Sequence, residues 1–313
     1  MAEGISTPRF RVFRIVGCAL LGVLLLLLVA EGAMRLCLGN NAVGRLMKFD
    51  RNDLPCVILK KNARVTHTGL FKKISPVVHA VNRYGYRGPA RPPRATASVR
   101  RIVVVGDSFT FCPGVAEKRD YPSRLEFHLN QRGDTNTEVL NFGVPSHNLA
   151  ELEAHLMTDA VRFSPDVVLM QITQNDFSPT VCQLTQHWSE STFSLLHHLY
   201  LGRVVFAEML AATQRYESPQ EERLAALDRF ALSVQRIASE HGALARIISF
   251  DEPVTCSDNC LEHLFEKHEL PYWPFPEQLR AHLHRDMGHL DETGCDLYAR
   301  ELANWLHSLD EAS

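Results

Sequence analysis

The chain has 313 residues, of which 45% are hydrophobic and 22% are charged, so it is long and apolar enough to fold around a sizeable core. Its formal net charge of -3 gives no general attraction to nucleic acid, and no long basic stripe carries interleaved aromatic residues. Disorder and nucleic-acid binding are therefore excluded as leading interpretations, and no nucleic-acid partner is expected.

The first predicted element is an apolar helix near the amino terminus. Ile15 to Ala30 contains no charge and spans about 24 Å at 1.5 Å per residue. Mostly apolar residues up to Leu38 extend the run toward the thickness of a bilayer core of about 30 Å, and Glu31 and Arg35 are spaced to pair with each other. Three arginines precede the run, as in a signal sequence or in a helix whose amino end stays cytoplasmic.

No good small-x-small cleavage site follows this run, so we expect an uncleaved single-pass anchor in residues 1–38. A cleaved signal peptide is the alternative. In either case the rest of the chain is expected outside the cytoplasm, in the periplasm or at the cell surface.

Seven of the eight cysteines follow the apolar run, and an odd number cannot all pair within one chain. Cys256 and Cys260 are close enough in sequence to close a small loop in an oxidising compartment. A zinc site would need two further ligands at suitable spacing. Buried free thiols are an equal alternative for the other cysteines.

Residues 39–99 show short extended pieces and turn signals without a long helical period. Gly85 to Gly88 and the prolines that follow predict a turn and then a stiff linker, with a domain boundary near Ala90 to Val99. This segment is expected to be a stalk or linker, or a small accessory segment that docks on the main domain.

Residues 100–313 alternate between apolar strands and amphipathic helices, except that Phe177 to Pro219 do not fit this pattern well. This alternation predicts an α/β fold, a three-layer α/β/α sandwich with a parallel sheet, preceded by the one transmembrane helix. The predicted strands are Ile102–Val105, Val139–Phe142, Val167–Ile172 and Ala245–Phe250, and the predicted helices are Tyr121–Asn130, Leu149–Phe163, Glu222–His241 and Thr293–Leu309.

The most informative candidate for a catalytic residue lies at the end of the first of these strands, where the sequence reads Gly106-Asp107-Ser108. A tight turn there places the serine at the carboxyl edge of a parallel sheet, where such folds bind ligands. By itself the tripeptide is weak evidence, because serine and aspartate often only cap a helix.

The end of the chain supplies the groups that a serine nucleophile needs. A serine hydroxyl requires a neutral imidazole to take its proton, and a carboxylate that fixes the tautomer of that imidazole. Asp286 and His289 stand together just before the last predicted helix, with suitable spacing. Read alone, an Asp-x-x-His sequence usually means only that two polar side chains face the solvent.

Acyl transfer also needs donors aimed at the developing oxyanion. Gly143 follows the second strand and Asn175 follows the third, so the Gly143 N–H, the Asn175 side chain and the Ser108 N–H form a predicted hole of three donors. An ordinary turn glycine and a turn-forming Asn-Asp pair are the alternatives.

Four sequence features thus follow one another: Gly106-Asp107-Ser108, Gly143 after the second strand, the Asn-Asp pair at Asn175 after the third, and Asp286-x-x-His289 before the last helix. In this order they resemble the motifs of the SGNH/GDSL hydrolase family, over Arg101 to about Leu309. The resemblance implies a flavodoxin-like fold and no metal or cofactor. It implies that Ser108 is the nucleophile and first oxyanion donor, that Gly143 and Asn175 are the other donors, that His289 is the general base and that Asp286 orients it.

The chain departs from the family pattern at Thr173-Gln174, where a glycine commonly precedes the Asn-Asp pair, and at Cys112-Pro113-Gly114, where a glycine often follows the serine helix directly. The anchor and the stretch from Asn82 to Gly88 resemble membrane-anchored bacterial members. A metal site at His282, His284 and His289 is set aside, because no ligand cluster of recognised spacing supports it.

The sequence thus predicts a membrane-anchored serine esterase or lipase-like hydrolase that cleaves acyl esters, acetyl esters among them, through an acyl-enzyme. The expected substrate is an ester-bearing small molecule, lipid or glycan. Two alternatives stay open: an O-acyltransferase acting on cell-envelope polysaccharide, and a non-catalytic anchored protein that binds carbohydrate or assists assembly.

Overall fold

Helices and strands alternate through most of the chain in the computed structural model, which describes residues 8–37, 43–50, 53–68, 75–93, 99–131, 136–199, 202, 218–251, 254, 259–283 and 288–312. The α-helices are α1 (Pro8–Cys37), α2 (Ser108–Phe111), α3 (Tyr121–Gln131), α4 (Leu149–Thr158), α5 (Val181–Leu184), α6 (Glu190–His198), α7 (Gln220–Glu240), α8 (Cys260–Glu266) and α9 (Glu292–Ala312). The strands are β1 (Met47–Phe49), β2 (Val57–Leu59), β3 (Arg64–His67), β4 (Val77–Ala80), β5 (Val99–Gly106), β6 (Asn136–Gly143), β7 (Val167–Ile172), β8 (Leu244–Ser249) and β9 (Tyr272–Trp273). Short 3-10 helices cover Val43–Leu46, Ala160–Phe163, Gln174–Phe177 and Glu277–His282.

The main sheet has five parallel strands in the order β6-β5-β7-β8-β9. Successive side chains of a strand point to opposite faces, and β5 fills both layers accordingly. Its Ile102 and Val104 pack in the cluster that contains α3 and α9, whereas Val103 and Val105 pack in the cluster that contains α4 and α7. This confirms the predicted three-layer α/β/α sandwich, and β9 is an edge strand that the sequence pattern did not indicate.

The carboxyl ends of the parallel strands meet at one edge of this sheet. Gly106, the last residue of β5, pairs with Gly143, the last residue of β6, and β7 ends beside them at Ile172. The segments that follow these strands carry Ser108 and Asn175, so the register places both residues at the same edge.

The segment upstream of β5 forms two antiparallel hairpins, β1-β2 and β3-β4. Side chains from this segment, including Leu46 and Val57, share a buried cluster with Phe111 and Val144 of the main domain. A disulfide between Cys56 and Cys182 also joins the two parts. The described part of residues 39–99 therefore packs on the α/β domain.

Helix α1 contains a stretch, Val12–Arg35, that is long and apolar enough to cross a membrane, with a mean hydropathy of 2.8. None of its most apolar window is buried against the protein. Glu31 and Arg35 form the expected i, i+4 ion pair, at 2.6 Å. Among the helices that the structure describes, α1 is the one with these properties, judged by length and composition.

Candidate active site

Ser108 is the first residue of α2, a single helical turn of four residues that follows β5 directly. Asp107 caps this turn, because its carboxylate accepts the N–H of Phe109 at 2.9 Å. At the other end, Cys112 adopts a left-handed backbone with φ 53° and donates its N–H to the Ser108 carbonyl at 2.9 Å. The turn is thus held at both ends, and Ser108 is partly exposed at its start.

The structure brings His289 to Ser108 across 181 positions of sequence, with 2.8 Å between His289 Nε2 and Ser108 Oγ. The imidazole packs on the ring of Phe109 with 4.6 Å between the centroids. A general base must lie within hydrogen-bond reach of the proton that it removes, and this pair meets the condition. Asp286, the predicted orienter of His289, lies outside the described residues.

Asn175 reaches the same place from the 3-10 turn after β7. Its Nδ2 donates to Asp107 Oδ2 at 2.9 Å, and the hydroxyl of Thr173 donates to its Oδ1. These two bonds fix which end of the amide is nitrogen, and they hold that nitrogen beside the start of α2. An amide nitrogen carries two hydrogens, so one remains for a further acceptor.

Gly143 has a packing role that the sequence did not indicate. A Cβ atom built on it would lie 2.3 Å from Phe111 N and 2.6 Å from the Thr110 carbonyl carbon, so a glycine lets β6 approach the backbone of α2. The Gly143 N–H donates to Asn141 Oδ1 at 2.9 Å. In this arrangement the predicted third oxyanion donor is already engaged within its own strand.

The loop after β6 carries a second main-chain donor at this edge. Ser146 is partly exposed and has a left-handed backbone with φ 73°. Within the described residues its N–H makes no hydrogen bond. A serine in a left-handed conformation gives no sequence signal, because glycine, asparagine and aspartate are the residues that usually mark such positions.

Three aspartate carboxyl groups accept backbone hydrogen bonds in the turns around the site. Asp107 and Asp176 are buried and hold the turns that follow β5 and β7: Asp107 accepts the Phe109 N–H, and Asp176 accepts the Thr173 N–H at 2.7 Å. Asp251 follows β8 and accepts the Gln174 N–H at 2.9 Å. Burial raises the pKa of all three, that of Asp251 to about 6. The sequence pattern did not point to Asp251, which lies just past the end of a strand with no motif around it.

Across the part of the chain that the structure describes, no group of three His, Cys, Asp or Glu side chains is arranged to hold a metal ion. His282 is among those residues, and His284 is outside them.

Comparison with known proteins gives one matching family and a set of similar solved structures. The solved structures similar to the chain include TesA (14% identity, TM-score 0.43, 66% of this chain and 96% of that one), a lipase/acylhydrolase from Enterococcus faecalis (16%, 0.43, 66% and 95%) and the psychrotrophic esterase EstA from Pseudoalteromonas sp. (10%, 0.45, 66% and 99%). No curated protein sequence matches significantly.

The family match covers more than half of the chain. Residues 104–286 match the model of the GDSL-like lipase/acylhydrolase family, from the strand before Ser108 to Asp286. The chain therefore belongs to the GDSL-like lipase/acylhydrolase family, serine hydrolases that act on ester bonds.

Proposed function

We propose that this protein is a membrane-anchored esterase that cleaves acyl esters with Ser108 as its nucleophile. The observation that carries the proposal is the distance of 2.8 Å between Ser108 Oγ and His289 Nε2, at the sheet edge where the parallel strands end. A nucleophile and base in this contact have the arrangement that serine catalysis requires.

In the proposed reaction His289 takes the Ser108 proton as Oγ attacks the ester carbonyl carbon. The tetrahedral intermediate collapses to an acyl-enzyme, and the leaving alcohol receives the proton from the imidazolium. A water molecule then gives a proton to the same imidazole and attacks the acyl carbonyl carbon; the bond to Ser108 Oγ breaks, the acid leaves, and Oγ takes the proton back from the imidazolium. Asp286 is proposed to accept a hydrogen bond from the Nδ1–H of His289, which would fix the tautomer and stabilise the imidazolium.

The oxyanion is proposed to bind between the Ser108 N–H and the second Nδ2 hydrogen of Asn175. The first N–H groups of a helix have no partner within the helix, and the Asn175 amide is held in place by Asp107 and Thr173. Preorganised donors of this kind lower the barrier because they need no reorganisation during the reaction.

Gly143 can be the third donor only if its N–H leaves Asn141 Oδ1. The Ser146 N–H is at the same edge and makes no hydrogen bond with the described residues. We therefore favour Ser146 for this role, with Gly143 needed for the close packing of β6 on α2.

The proposed location is the outer side of a membrane that α1 crosses. The supporting facts are the length and hydropathy of α1, the Cys56–Cys182 disulfide and the disulfide-bonded state of Cys260. Disulfides persist in oxidising compartments such as the periplasm or the cell surface. Residues 1–38 would then be the anchor, with the upstream hairpins and the α/β domain forming one catalytic body.

Labelling with a fluorophosphonate tests the nucleophile directly in the full-length protein in detergent. We expect the wild type to be labelled, Ser108→Ala to be unlabelled, and Ser239→Ala, which changes an exposed helix serine, to behave as wild type. Hydrolysis of short-chain nitrophenyl esters should follow the same order. A folded wild-type protein that takes no label and cleaves no ester would refute the proposal.

Product analysis separates hydrolysis from acyl transfer. The protein is supplied with an acetyl ester, with and without an oligosaccharide acceptor. Free acetate as the main product in both reactions supports an esterase. Acetylated oligosaccharide as the main product would replace the esterase with an O-acyltransferase that uses the same Ser108 chemistry.

A further inference from the structure

Arg87 is a buried cation that no step of the proposed reaction uses. It lies in the turn after β4, and its side chain is 1% exposed. The guanidinium donates to three carbonyl oxygens of one segment: Phe111 O, Cys112 O at 2.9 Å and Val115 O at 2.6 Å. Arg87 therefore contacts the carboxyl end of the helix that begins with Ser108.

The carbonyls at the end of a helix lack partners within the helix and carry a partial negative charge. In α2 these carbonyls lie only one turn from the nucleophile. Arg87 binds the carbonyl of Cys112, while the N–H of Cys112 binds the carbonyl of Ser108. Two hydrogen bonds through a single residue thus connect the guanidinium to the backbone of Ser108.

The surroundings of Arg87 balance its charge and fix its direction. The carboxylate of Asp120, also 1% exposed, lies 3.7 Å from Arg87 Nε, and the guanidinium packs over the Phe111 ring at 5.1 Å from the centroid. Burial and the charge of Arg87 lower the pKa of His79 to about 2, so this neighbour stays neutral.

The backbone of Arg87 is also hydrogen-bonded to β6 of the main sheet. Its N–H donates to the Asn141 carbonyl at 3.2 Å, and a single β-bridge pairs the two residues. The Asn141 side chain in turn donates to the Thr110 carbonyl at 2.9 Å. The segment upstream of β5 thus contacts α2 both through the Arg87 side chain and through Asn141.

We propose that Arg87 is a positioning residue, which clamps the carboxyl end of α2 and thereby holds Ser108 Oγ in line with His289. The inference rests on the proposed role of Ser108. It means that the segment upstream of β5 helps to position the nucleophile, although it contributes no reacting group. A buried arginine suits this task because its planar fork can bind several carbonyls at fixed angles, which a lysine cannot do.

Arg101 offers a matched control. Its side chain is also 1% exposed, and its guanidinium also binds three carbonyls, those of Pro92, Pro93 and Phe163, together with the Glu138 carboxylate. It lies near the start of β5, at the opposite end of the strand from Ser108. Arg101→Lys therefore removes the same kind of buried guanidinium as Arg87→Lys does, but at a site far from the nucleophile.

The test compares Arg87→Lys with Arg101→Lys in the full-length protein, at a temperature where circular dichroism shows both to be folded. The readouts are the rate of fluorophosphonate labelling, and kcat and KM for a nitrophenyl ester. We expect Arg87→Lys to lower the labelling rate and kcat at least 10-fold with KM changed less than 2-fold. Arg101→Lys should lower Tm but keep kcat within 2-fold.

If Arg87→Lys does not fold, the neutral double variant Arg87→Gln/Asp120→Asn is measured instead, because it leaves no uncompensated buried charge. The same loss of kcat is expected, since a glutamine amide cannot reach all three carbonyls. A variant at Arg87 that folds and keeps the wild-type kcat and labelling rate would overturn the inference. Failure of Ser108→Ala to abolish labelling would instead overturn the proposed function.

Discussion

Replacement of Gly143 by alanine probes how tightly the sheet edge sets the nucleophile. The new Cβ would lie 2.3 Å from Phe111 N and 2.6 Å from the Thr110 carbonyl carbon, both backbone atoms of α2. Ordinary contact requires about 3.4 Å, so β6 or α2 must move by about 1 Å. Overpacking of this kind costs about 1–3 kcal/mol of stability, and a catalytic group displaced by about 1 Å loses about 100-fold in rate.

We therefore expect Gly143→Ala to fold with a lower Tm and with kcat reduced about 100-fold, which corresponds to about 2.7 kcal/mol in activation free energy. The assay is ester hydrolysis together with fluorophosphonate labelling of Ser108. Gly44→Ala is the control, because a Cβ at Gly44 would meet only the end of the Met47 side chain, at 3.9 Å. A Gly143→Ala protein with wild-type kcat and labelling rate would refute the packing argument.

Three further changes test other parts of the site. Asn175→Ala should lower kcat about 100- to 1000-fold with little change in KM, because it removes an oxyanion donor; an unchanged kcat would exclude that role. Burial raises the pKa of Asp251 from 3.8 to about 6, so the stability that this carboxyl contributes is full below about pH 4 and is lost as the pH rises through about 6. At pH 8 the free energy of unfolding of Asp251→Asn should therefore exceed that of wild type by about 1–3 kcal/mol in denaturant titrations, and at pH 4 there should be no such difference. A variant that is no more stable than wild type at pH 8 would contradict this. The double variant Cys56→Ala/Cys182→Ala opens a covalent link across 126 positions of sequence and should lose about 4–5 kcal/mol of unfolding free energy in denaturant titrations under oxidising conditions. Under reducing conditions the wild type and the variant should be equally stable; a loss that persists there would contradict this explanation.

The layered fold was predictable because its signal is local. Apolar runs such as Val167–Ile172 and the helix that starts at Tyr121 carry their periodicity in a few consecutive residues, and the structure has both where the pattern puts them. The positions of Ser108 and Asn175 followed from the rule that parallel strands end at one edge. His289 stands just before the last helix, α9, and the apolar residues of that helix also recur at helical spacing, so the helix could be predicted as well.

The features that the sequence did not reveal depend on contacts between distant residues. Whether the Gly143 N–H faces a substrate or Asn141 depends on one side-chain rotamer, which no local pattern encodes. The partner of Cys56 could not be chosen among the other cysteines by spacing alone. Arg87 lies in a turn-rich stretch where arginines are usually solvated, so its burial against α2 had no signal beyond the surrounding turn motif.

The interval between α1 and the next packed segment is short. Helix α1 ends at Cys37, and the first core residue of the next segment is Val43. A chain of this length extends over about 20 Å at most. In the proposed membrane-anchored form, this interval would be a short tether that keeps the domain close to the membrane surface. The substrates expected for that form are esters on lipids, on nearby envelope polymers or on molecules that diffuse to the surface, because the tether would not let the domain reach further.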